Sequence, residues 1–426
     1  MKIGIISDIH SNIYAFKACT EYMEKHKCDE YFFLGDYISD TPYTRETMDY
    51  LYEFMENHTC YLLRGNREEY MLTQQEARKK KCTEQMWISN SASGNLLYTY
   101  GQLVDKDFDF FRNLPITFIY EKAGYPSITC CHGSPASSRE LLQLNEDPVK
   151  QWLEKIDTDY MICAHTHYPG EMTYKNKHYF NSGSVGISID DAGYAQCMLL
   201  ESGVENGTTI WKPQFLKVPY DNQKVAQDMI TGGLLSIAPW FVNSNILTIL
   251  TGIDCSAKMV ELAEKLALED NAQTKWPHID EKYFEEAKYK EIAPKVNLKI
   301  SHEFGSLGFH MAALDMKSRL SKYGELRNSL SPSQRDFLDR TVGEIFDGSL
   351  IENVAENSAN LCSVAASLYL GYLNAATRIA QSCGGGGGPG TGWGKRDDEN
   401  DMDFRRRCFG MAMKMMKPGR QQRLKR

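Results

Sequence analysis

Near its amino end the chain contains the stretch Lys2-Ile-Gly-Ile-Ile-Ser-Asp-Ile-His10, in which a short apolar run leads into two polar residues. An apolar run of this length predicts a buried strand. Asp8 and His10 stand two residues apart where the chain leaves that strand, so both side chains can reach one metal ion. An Asp-x-His pair alone is weak evidence, because such pairs are common at strand ends.

Four further motifs strengthen this interpretation, because each directly follows another short apolar run. They are Gly35-Asp36, Gly65-Asn66, His132-Gly133 and His165-Thr166-His167. In open α/β sheets, ligands bind just beyond the carboxyl ends of the strands. The sequence therefore predicts one metal site built from seven residues: Asp8, His10, Asp36, Asn66, His132, His165 and His167.

The ligand types indicate which metals and which chemistry to expect. Mixed imidazole and carboxylate ligation suits manganese, iron, zinc or nickel better than calcium or magnesium. We expect two divalent ions, with manganese favoured, and the two oxygens of Asp36 allow it to bridge them. Two ions about 3.5–4 Å apart would clamp a phosphate and activate a water molecule. The predicted activity is hydrolysis of a phosphate mono- or diester.

The first half of the chain alternates predicted strands and helices, as in a mostly parallel sheet covered by helices. The pattern of residues 67–113 predicts a helical insertion, and that of the segments after His167 predicts β-hairpins. From residue 221 the pattern turns helical. We predict four regions: a catalytic domain over 1–220, its helical extension over 221–294, a helical region over 295–383, and a Gly-rich linker with an acidic-then-basic tail over 384–426.

The composition fits a soluble globular protein of the cytoplasm. The chain has 426 residues, 42% of them hydrophobic and 24% charged, and its net charge of −8 gives no general nucleic-acid signature. Its 12 cysteines show no Cys-x-x-Cys pair, and we expect neither an export signal nor a membrane span. The apolar windows 233–253 and 361–380 contain polar residues, so we interpret both as buried helices.

Taken in order, the motifs resemble those of the calcineurin-like metallophosphoesterase superfamily. Asn181-Ser-Gly-Ser-Val185 also resembles the N-P-G-S-V turn of its small bacterial phosphodiesterase branch. The motifs span residues 1 to about 217, and we extend the resemblance to about residue 290. It implies an α/β fold, a β-sandwich flanked by helices. It also implies two ligand sets that share one residue: Asp8, His10, Asp36 and His167 for one ion, and Asp36, Asn66, His132 and His165 for the other.

The resemblance also implies catalytic roles for Asn66, Arg67 and His132, and here the sequence departs from the family pattern. Many members have a histidine at the position of Arg67, where it protonates or steers the leaving group. Arginine stays charged and cannot act as that acid, but it can bind a phosphate in a bidentate way. We therefore expect a preference for good leaving groups. Ala164 replaces a usual glycine, which is a small change.

The tail contains a glycine run from Gly384, an acidic cluster before Asp403 and a basic end from Arg405 onwards. Residues 384 to about 418 resemble the tail of some plasmid mobilisation relaxases, without any relaxase chemistry. The basic end could bind nucleic acid or an acidic partner. A solvated tail without a specific role is the alternative.

Several functions stay open at this stage. The substrate could be a phosphorylated small molecule or a phosphoprotein. A phosphoprotein or dinucleotide polyphosphate phosphatase is the first alternative to a general phosphoesterase. The second is a non-catalytic scaffold of the same fold, as in the retromer subunit. The third is a nuclease, for which the basic tail is the only indication.

Overall fold

The computed structural model describes residues 1–272 and 276–287, without the side chains of residues 230, 231, 251, 257 and 258. The contacts between residues divide the chain into two compact units, Met1–Phe284 and Glu285–Arg426. The predicted helical region over 295–383, the apolar window 361–380, and the linker and tail over 384–426 lie outside the described residues.

Strands and short helices alternate through the first half, and a helical segment follows the last strand. In chain order the elements are β1 (Lys2–Ile6), α1 (Ile13–Lys25), β2 (Glu30–Phe33), α2 (Thr44–Asn57), β3 (Cys60–Leu62), α3 (Asn66–Lys79), α4 (Gly94–Tyr100), α5 (Asp105–Asn113), β4 (Thr117–Tyr120), β5 (Ile128–Cys131), α6 (Asp147–Lys155), β6 (Tyr160–Cys163), β7 (Gly170–Tyr174), β8 (Lys177–Asn181), β9 (Tyr194–Glu205), β10 (Thr208–Pro219), α7 (Asn222–Thr231), α8 (Leu234–Ile237), α9 (Pro239–Thr251), α10 (Ala257–Glu269) and α11 (Glu281–Ala287).

The strands form two mixed sheets of five. The first has the order β10-β9-β1-β2-β3 and the second the order β4-β5-β6-β8-β7. Strands β1, β2 and β3 run parallel, whereas β9 pairs antiparallel with β1. The alternation of strands and helices predicted a mostly parallel sheet. That prediction is therefore wrong. The β-sandwich flanked by helices is confirmed.

The four strands β1, β2, β5 and β6 are short and almost wholly buried, because both of their faces are covered. In β1, Ile3 and Ile5 belong to the core between the sheets, together with Ile128 and Ile162 of the second sheet. Ile6, on the other face, packs in the core that includes α1 and α2. β1 is buried on both faces and lies at the centre of its sheet. The loop after its carboxyl end therefore lies close to loops of both sheets.

The helices begin where the sequence provides suitable ends. The Asn12 side chain accepts a hydrogen bond from the Ala15 amide and caps α1. The window 233–253 forms α8 and α9, and α9 is buried on nearly all sides, as predicted. Within residues 1–272 and 276–287, no helix is both long and apolar enough to cross a membrane.

Candidate metal centre

All seven predicted ligands lie in loops that follow strands, or at the start of the helix after one. Asp8 and His10 follow β1, Asp36 follows β2, and Asn66 opens α3 directly after β3. The second sheet contributes three histidines, which follow β5 and β6: His132, His165 and His167. The carboxyl ends of strands from both sheets thus meet at one place, and the structure brings the seven side chains together.

The backbone of the ligands is in an unusual conformation. Positive φ angles occur at Asp8 (51°), His10 (48°), Asp36 (52°), His165 (68°) and His167 (61°). Residues with a Cβ rarely adopt this left-handed region, and such strain concentrates at functional sites. The sharp turns after the strands therefore aim the ligand side chains inward at a cost in backbone energy.

Two glycines allow the loops to approach each other. Gly35 has a φ of 87°, and a Cβ there would lie 2.3 Å from the Gly65 nitrogen. A Cβ on Gly65 would lie 2.1 Å from Asp36 Oδ1. Only glycine fits at either position, because the loops after β2 and β3 touch through their backbones.

The first candidate metal group consists of Asp8, His10 and His167. His167 Nε2 lies 3.4 Å from Asp8 Oδ1, and His10 Nε2 lies 3.8 Å from the same oxygen. The two Nε2 atoms are 3.1 Å apart. Three atoms able to bind one cation therefore converge on a buried point.

The hydrogen bonds of the two rings leave their Nε2 atoms facing that point. His10 Nδ1 lies 2.9 Å from Asp40 Oδ2, and His167 Nδ1 lies 2.8 Å from the Ile187 carbonyl oxygen. Both partners can only accept, so each Nδ1 donates, and a neutral ring then has its lone pair on Nε2. Asp8 Oδ1 is buried without a hydrogen-bond partner among the described residues. Two facing lone pairs and an unpaired carboxylate oxygen fit a divalent metal.

The second candidate metal group consists of Asp36, His132 and His165. His132 Nε2 lies 3.5 Å from Asp36 Oδ2 and 3.0 Å from Asn66 Oδ1. Its Nδ1 donates to the Leu34 carbonyl oxygen over 2.7 Å, so Nε2 faces the site. The His165 ring is centred 4.9 Å from that of His132. This set again contains the imidazole and carboxylate donors that suit transition metals.

Asp36 lies between the two groups. Its Oδ2 is 3.9 Å from His10 Nε2 of the first group and 3.5 Å from His132 Nε2 of the second. Burial alone would raise the pKa of this carboxyl, but the nearby His132, His10 and Arg67 hold it well below its usual range. An ionised carboxylate in this position can bind two cations at once.

The histidines of the second group have opposite pKa shifts. Burial and the nearby His132 lower the pKa of His165 to about 4. Burial also opposes the charged form of His132, but the carboxylates of Asp36 and Asp8 outweigh it and raise the pKa of His132 to about 10. Without metal, His132 therefore carries the proton that balances the negative charge of the site.

Glu68 organises the loops around Asp36, a role that sequence reasoning missed. Its carboxylate accepts hydrogen bonds from the amides of Gly65 (2.8 Å), Asp36 (2.9 Å) and Tyr37 (2.9 Å). Burial and the nearby Asp36 raise the pKa of Glu68 to about 7. A signal existed, because a Glu three residues after a helix N-cap commonly reaches back to the cap amide.

Asp40 is the second missed residue. It is only 2% exposed, and its carboxylate contacts the side chains of His10, Arg67 and Asn95. Burial would raise its pKa, but Arg67 and His10 lower it to about 2. Asp40 does not directly follow an apolar run, so the pattern that indicated the seven predicted ligands could not indicate it.

Arg67 lies beside Asp36, in the first turn of α3. Its backbone amide donates to Asp36 Oδ1 over 2.8 Å, and its Nη2 donates to Asp40 Oδ2 over 2.9 Å. Its Nε is 3.8 Å from Asp36 Oδ2, too far for a hydrogen bond. The Arg67 side chain is 20% exposed, so part of it is open to the mouth of the site.

The turn Asn181-Ser-Gly-Ser-Val185 supports Asp8 from behind. The Val185 amide donates to the Ser7 carbonyl oxygen over 3.0 Å, and Ser184 Oγ donates to the Asp8 carbonyl oxygen over 3.0 Å. The Gly186 amide donates to the same Asp8 oxygen over 2.8 Å. This turn therefore holds the strained backbone of Asp8 in place.

Comparison with solved structures found similar folds at low sequence identity. A hypothetical protein from Pyrococcus horikoshii OT3 is 20% identical with a TM-score of 0.49, and the match covers 56% of this chain and 96% of that one. A metallophosphoesterase from Sphaerobacter thermophilus is 20% identical with a TM-score of 0.46, covering 59% and 100%. Vps29 from Chaetomium thermophilum is 16% identical with a TM-score of 0.30, covering 52% and 95%.

No curated protein matches the chain. The sequence model of one family, described as calcineurin-like phosphoesterase, matches residues 1–169. That range includes all seven predicted ligands, from Asp8 to His167. The resemblance of the carboxyl-terminal tail to relaxases has no support in these comparisons. Residues 1–169 are a calcineurin-like phosphoesterase domain.

Proposed function

We propose that the protein is a dinuclear metal-dependent phosphoesterase that uses a metal-activated water to hydrolyse a phosphate mono- or diester. The position of Asp36 between two Asp–His groups is the observation that carries this proposal. Asp8, His10, Asp36 and His167 would hold one ion. Asp36, Asn66, His132 and His165 would hold the other. Manganese is the metal we favour, from the ligand types.

When bound, the two ions would supply Lewis-acid stabilisation and lower the pKa of a bound water. The protein itself binds and orients the phosphoryl group. Asn66, which is 4% exposed at the amino end of α3, offers a neutral amide beside His132. Arg67 adds a fixed positive charge at the same helix end, where anions are favoured.

Arg67 cannot donate a proton to the leaving group as it departs. Its guanidinium is charged in any case, and Asp40 and Asp36 counter the effect of burial and raise its pKa further. The enzyme should therefore act best on esters whose leaving groups need no general acid, such as phenolic or phosphoanhydride leaving groups.

The test compares hydrolysis of bis-(p-nitrophenyl) phosphate and p-nitrophenyl phosphate by the manganese-loaded full chain. Asp36→Asn is the inactivating variant. Asp107→Asn is the control, because Asp107 is also a buried carboxylate, paired with Arg45 at 2.7 Å, but belongs to neither metal group. Protein that binds two metal ions per chain and cleaves neither ester would instead support the scaffold alternative.

The physiological substrate class also belongs to this proposal. A panel containing phosphopeptides, dinucleotide polyphosphates and single-stranded DNA separates a phosphoprotein phosphatase, a dinucleotide polyphosphate phosphatase and a nuclease. Highest kcat/KM on one class identifies it. Equal, low kcat/KM on all three would favour an unrelated small phosphorylated molecule.

A separate proposal concerns what the basic tail binds, and it is based on the sequence alone. Arg405, Arg406 and Arg407 begin a stretch without acidic residues, and we propose that it binds nucleic acid or an acidic partner. DNA binding by the full chain should weaken steeply with salt. Replacement of the three arginines by alanine should remove this binding, and unchanged binding would refute the proposal.

A further inference from the structure

Asp40 lies in the loop between β2 and α2, behind His10 and beside Arg67. Its carboxylate is 2% exposed and is not part of either candidate metal group. A buried carboxylate needs partners to compensate for its loss of water. The identity of those partners shows what Asp40 does.

Both oxygens of Asp40 accept hydrogen bonds from side chains of the site. Oδ2 accepts from His10 Nδ1 at 2.9 Å and from Arg67 Nη2 at 2.9 Å. Oδ1 accepts from Asn95 Nδ2 at 2.5 Å. All three partners are donors, so both oxygens of an ionised carboxylate act as acceptors, whereas an amide of the same shape has one acceptor and one donor.

The contact with His10 determines which nitrogen faces the metal. Because Nδ1 donates to Asp40, the lone pair of the His10 ring is on Nε2, which points at Asp8 and His167. A carboxylate behind a histidine ligand fixes the ring and increases its basicity, and its loss weakens metal binding.

The contact with Arg67 fixes the guanidinium beside the site. Within the described part of the chain, the bond to Asp40 is the only hydrogen bond of this guanidinium. Nε remains unpaired 3.8 Å from Asp36 Oδ2. Arg67 is thus held by one nitrogen, and donor capacity remains for the oxygens of a bound anion.

We propose that Asp40 is a positioning residue whose single carboxylate supports metal binding through His10 and phosphate binding through Arg67. The phosphate half of this inference rests on the proposed function, and the metal half does not. The inference predicts that one substitution at Asp40 weakens both kinds of binding, whereas loss of Arg67 weakens only one.

The support for Asp40 extends beyond the segment that matches the family. Asn95 begins the first turn of α4, and the loop before it is tied to the helical segment after residue 219. Trp240 donates its amide to Ser91 Oγ over 2.9 Å, and Ser91 Oγ donates to Glu281 over 2.8 Å. The position of Asn95, and through it that of Asp40, therefore depends on helices outside residues 1–169.

The experiment uses isothermal titration calorimetry on the full chain. Mn²⁺ is titrated into metal-free protein, and inorganic phosphate is then titrated into the manganese-loaded protein. The variants are Asp40→Asn and Arg67→Met. Asp107→Asn is the matched control, because the Asp107 carboxylate also accepts several hydrogen bonds. They come from Arg45, Tyr52 and the Val104 amide.

Asp40→Asn should weaken Mn²⁺ binding at one of two sites by about 10–100-fold and phosphate binding by about tenfold or more. Arg67→Met should weaken phosphate binding to a similar extent and leave Mn²⁺ affinity within about twofold. Asp107→Asn should change neither affinity. Unchanged Mn²⁺ affinity in Asp40→Asn would overturn the inference, as would equal losses in Asp107→Asn.

A second variant covers the case in which Asp40→Asn does not fold. Asn95→Ala removes one of the three donors around Asp40 and should lower both affinities in the same direction by about fivefold. No change in either affinity would contradict the inference. If wild-type protein binds Mn²⁺ but hydrolyses no phosphoester, the proposed function fails, and the role of Asp40 in metal binding is still decided by the Mn²⁺ titration.

Discussion

His10 Nε2 and His167 Nε2 lie 3.1 Å apart, although each ring donates its Nδ1 proton to another acceptor. Both Nε2 atoms face the same point, and the nearby Asp8 Oδ1 has no hydrogen-bond partner in the described part of the chain. The folded protein therefore contains three atoms that can bind one cation.

Metal should consequently stabilise the fold. At a free Mn²⁺ concentration of 100 times Kd, one site adds about 2.7 kcal/mol to the free energy of unfolding. Denaturant unfolding with Mn²⁺ and with excess chelator measures this difference. His167→Ala should reduce the bound metal from two ions per chain to one, and a variant that still binds two would contradict the assignment of His167.

His165 should make one part of the stability of the metal-free protein depend on pH. The folded pKa of His165 is lowered to about 4, so between pH 4 and about 6.5 the unfolded chain binds more protons than the folded one. Stability from this group is complete above pH 6.5 and is lost as the pH falls to 4. The loss amounts to about 3 kcal/mol. The difference in unfolding free energy between wild type and His165→Gln, measured against pH, should show this loss. Glu68, whose pKa is raised to about 7, changes stability in the opposite direction over much of the same range, but in both proteins.

His132 should cause a loss of stability at alkaline pH. Its folded pKa is raised to about 10, so its stabilisation is complete below about pH 6.5 and is lost as the pH rises through 10. His132→Gln should flatten the alkaline side of the stability profile and leave the acid side in place. A wild-type profile that stays level from pH 7 to 10 would show that the carboxylates do not hold this proton.

Asp36→Asn should abolish most of the activity, because its carboxylate lies between both metal groups. We expect kcat to fall by at least about a hundredfold. Measured at saturating Mn²⁺, a small loss would indicate that Asp36 does not bridge. Asp107→Asn should retain near wild-type kcat under the same conditions.

Gly65→Ala should destabilise the site by steric contact. The new methyl group would lie 2.1 Å from Asp36 Oδ1 and 2.5 Å from the Asp36 nitrogen. We expect a loss of about 3 kcal/mol in stability and weaker metal binding. Gly101→Ala is the control, since its nearest neighbour would be 3.5 Å away, and thermal unfolding should hardly change for it.

Arg67 should make the rate sensitive to the leaving group. Plots of log kcat/KM against leaving-group pKa for aryl phosphates should be steep for the wild type, because no general acid assists departure. Arg67→His should give a shallower slope, with a gain of about tenfold on the poorest leaving group. A flat plot for the wild type would refute this account.

Much of the fold and of the candidate site was predictable from local patterns. Short apolar runs predicted the strands from Lys2–Ile6 to Tyr160–Cys163 to within a residue or two. The polar residues after those runs indicated the seven candidate ligands, because parallel strands bring their carboxyl ends to one edge. Local patterns failed where pairing was remote: β9 and β10 join β1 from the far end of the domain and turn the expected parallel sheet into two mixed sheets.

The sequence by itself determined which residues follow each strand, and therefore the candidate ligands from Asp8 to His167. Only the tertiary structure decided that Asp40 and Glu68 support those ligands. Asp40 does not directly follow a strand, and its partners are His10 in a loop, Arg67 in the first turn of α3 and Asn95 in the first turn of α4. Contacts between loops depend on the packing of the two sheets and of the helices around them, and no periodic pattern along the chain encodes that packing.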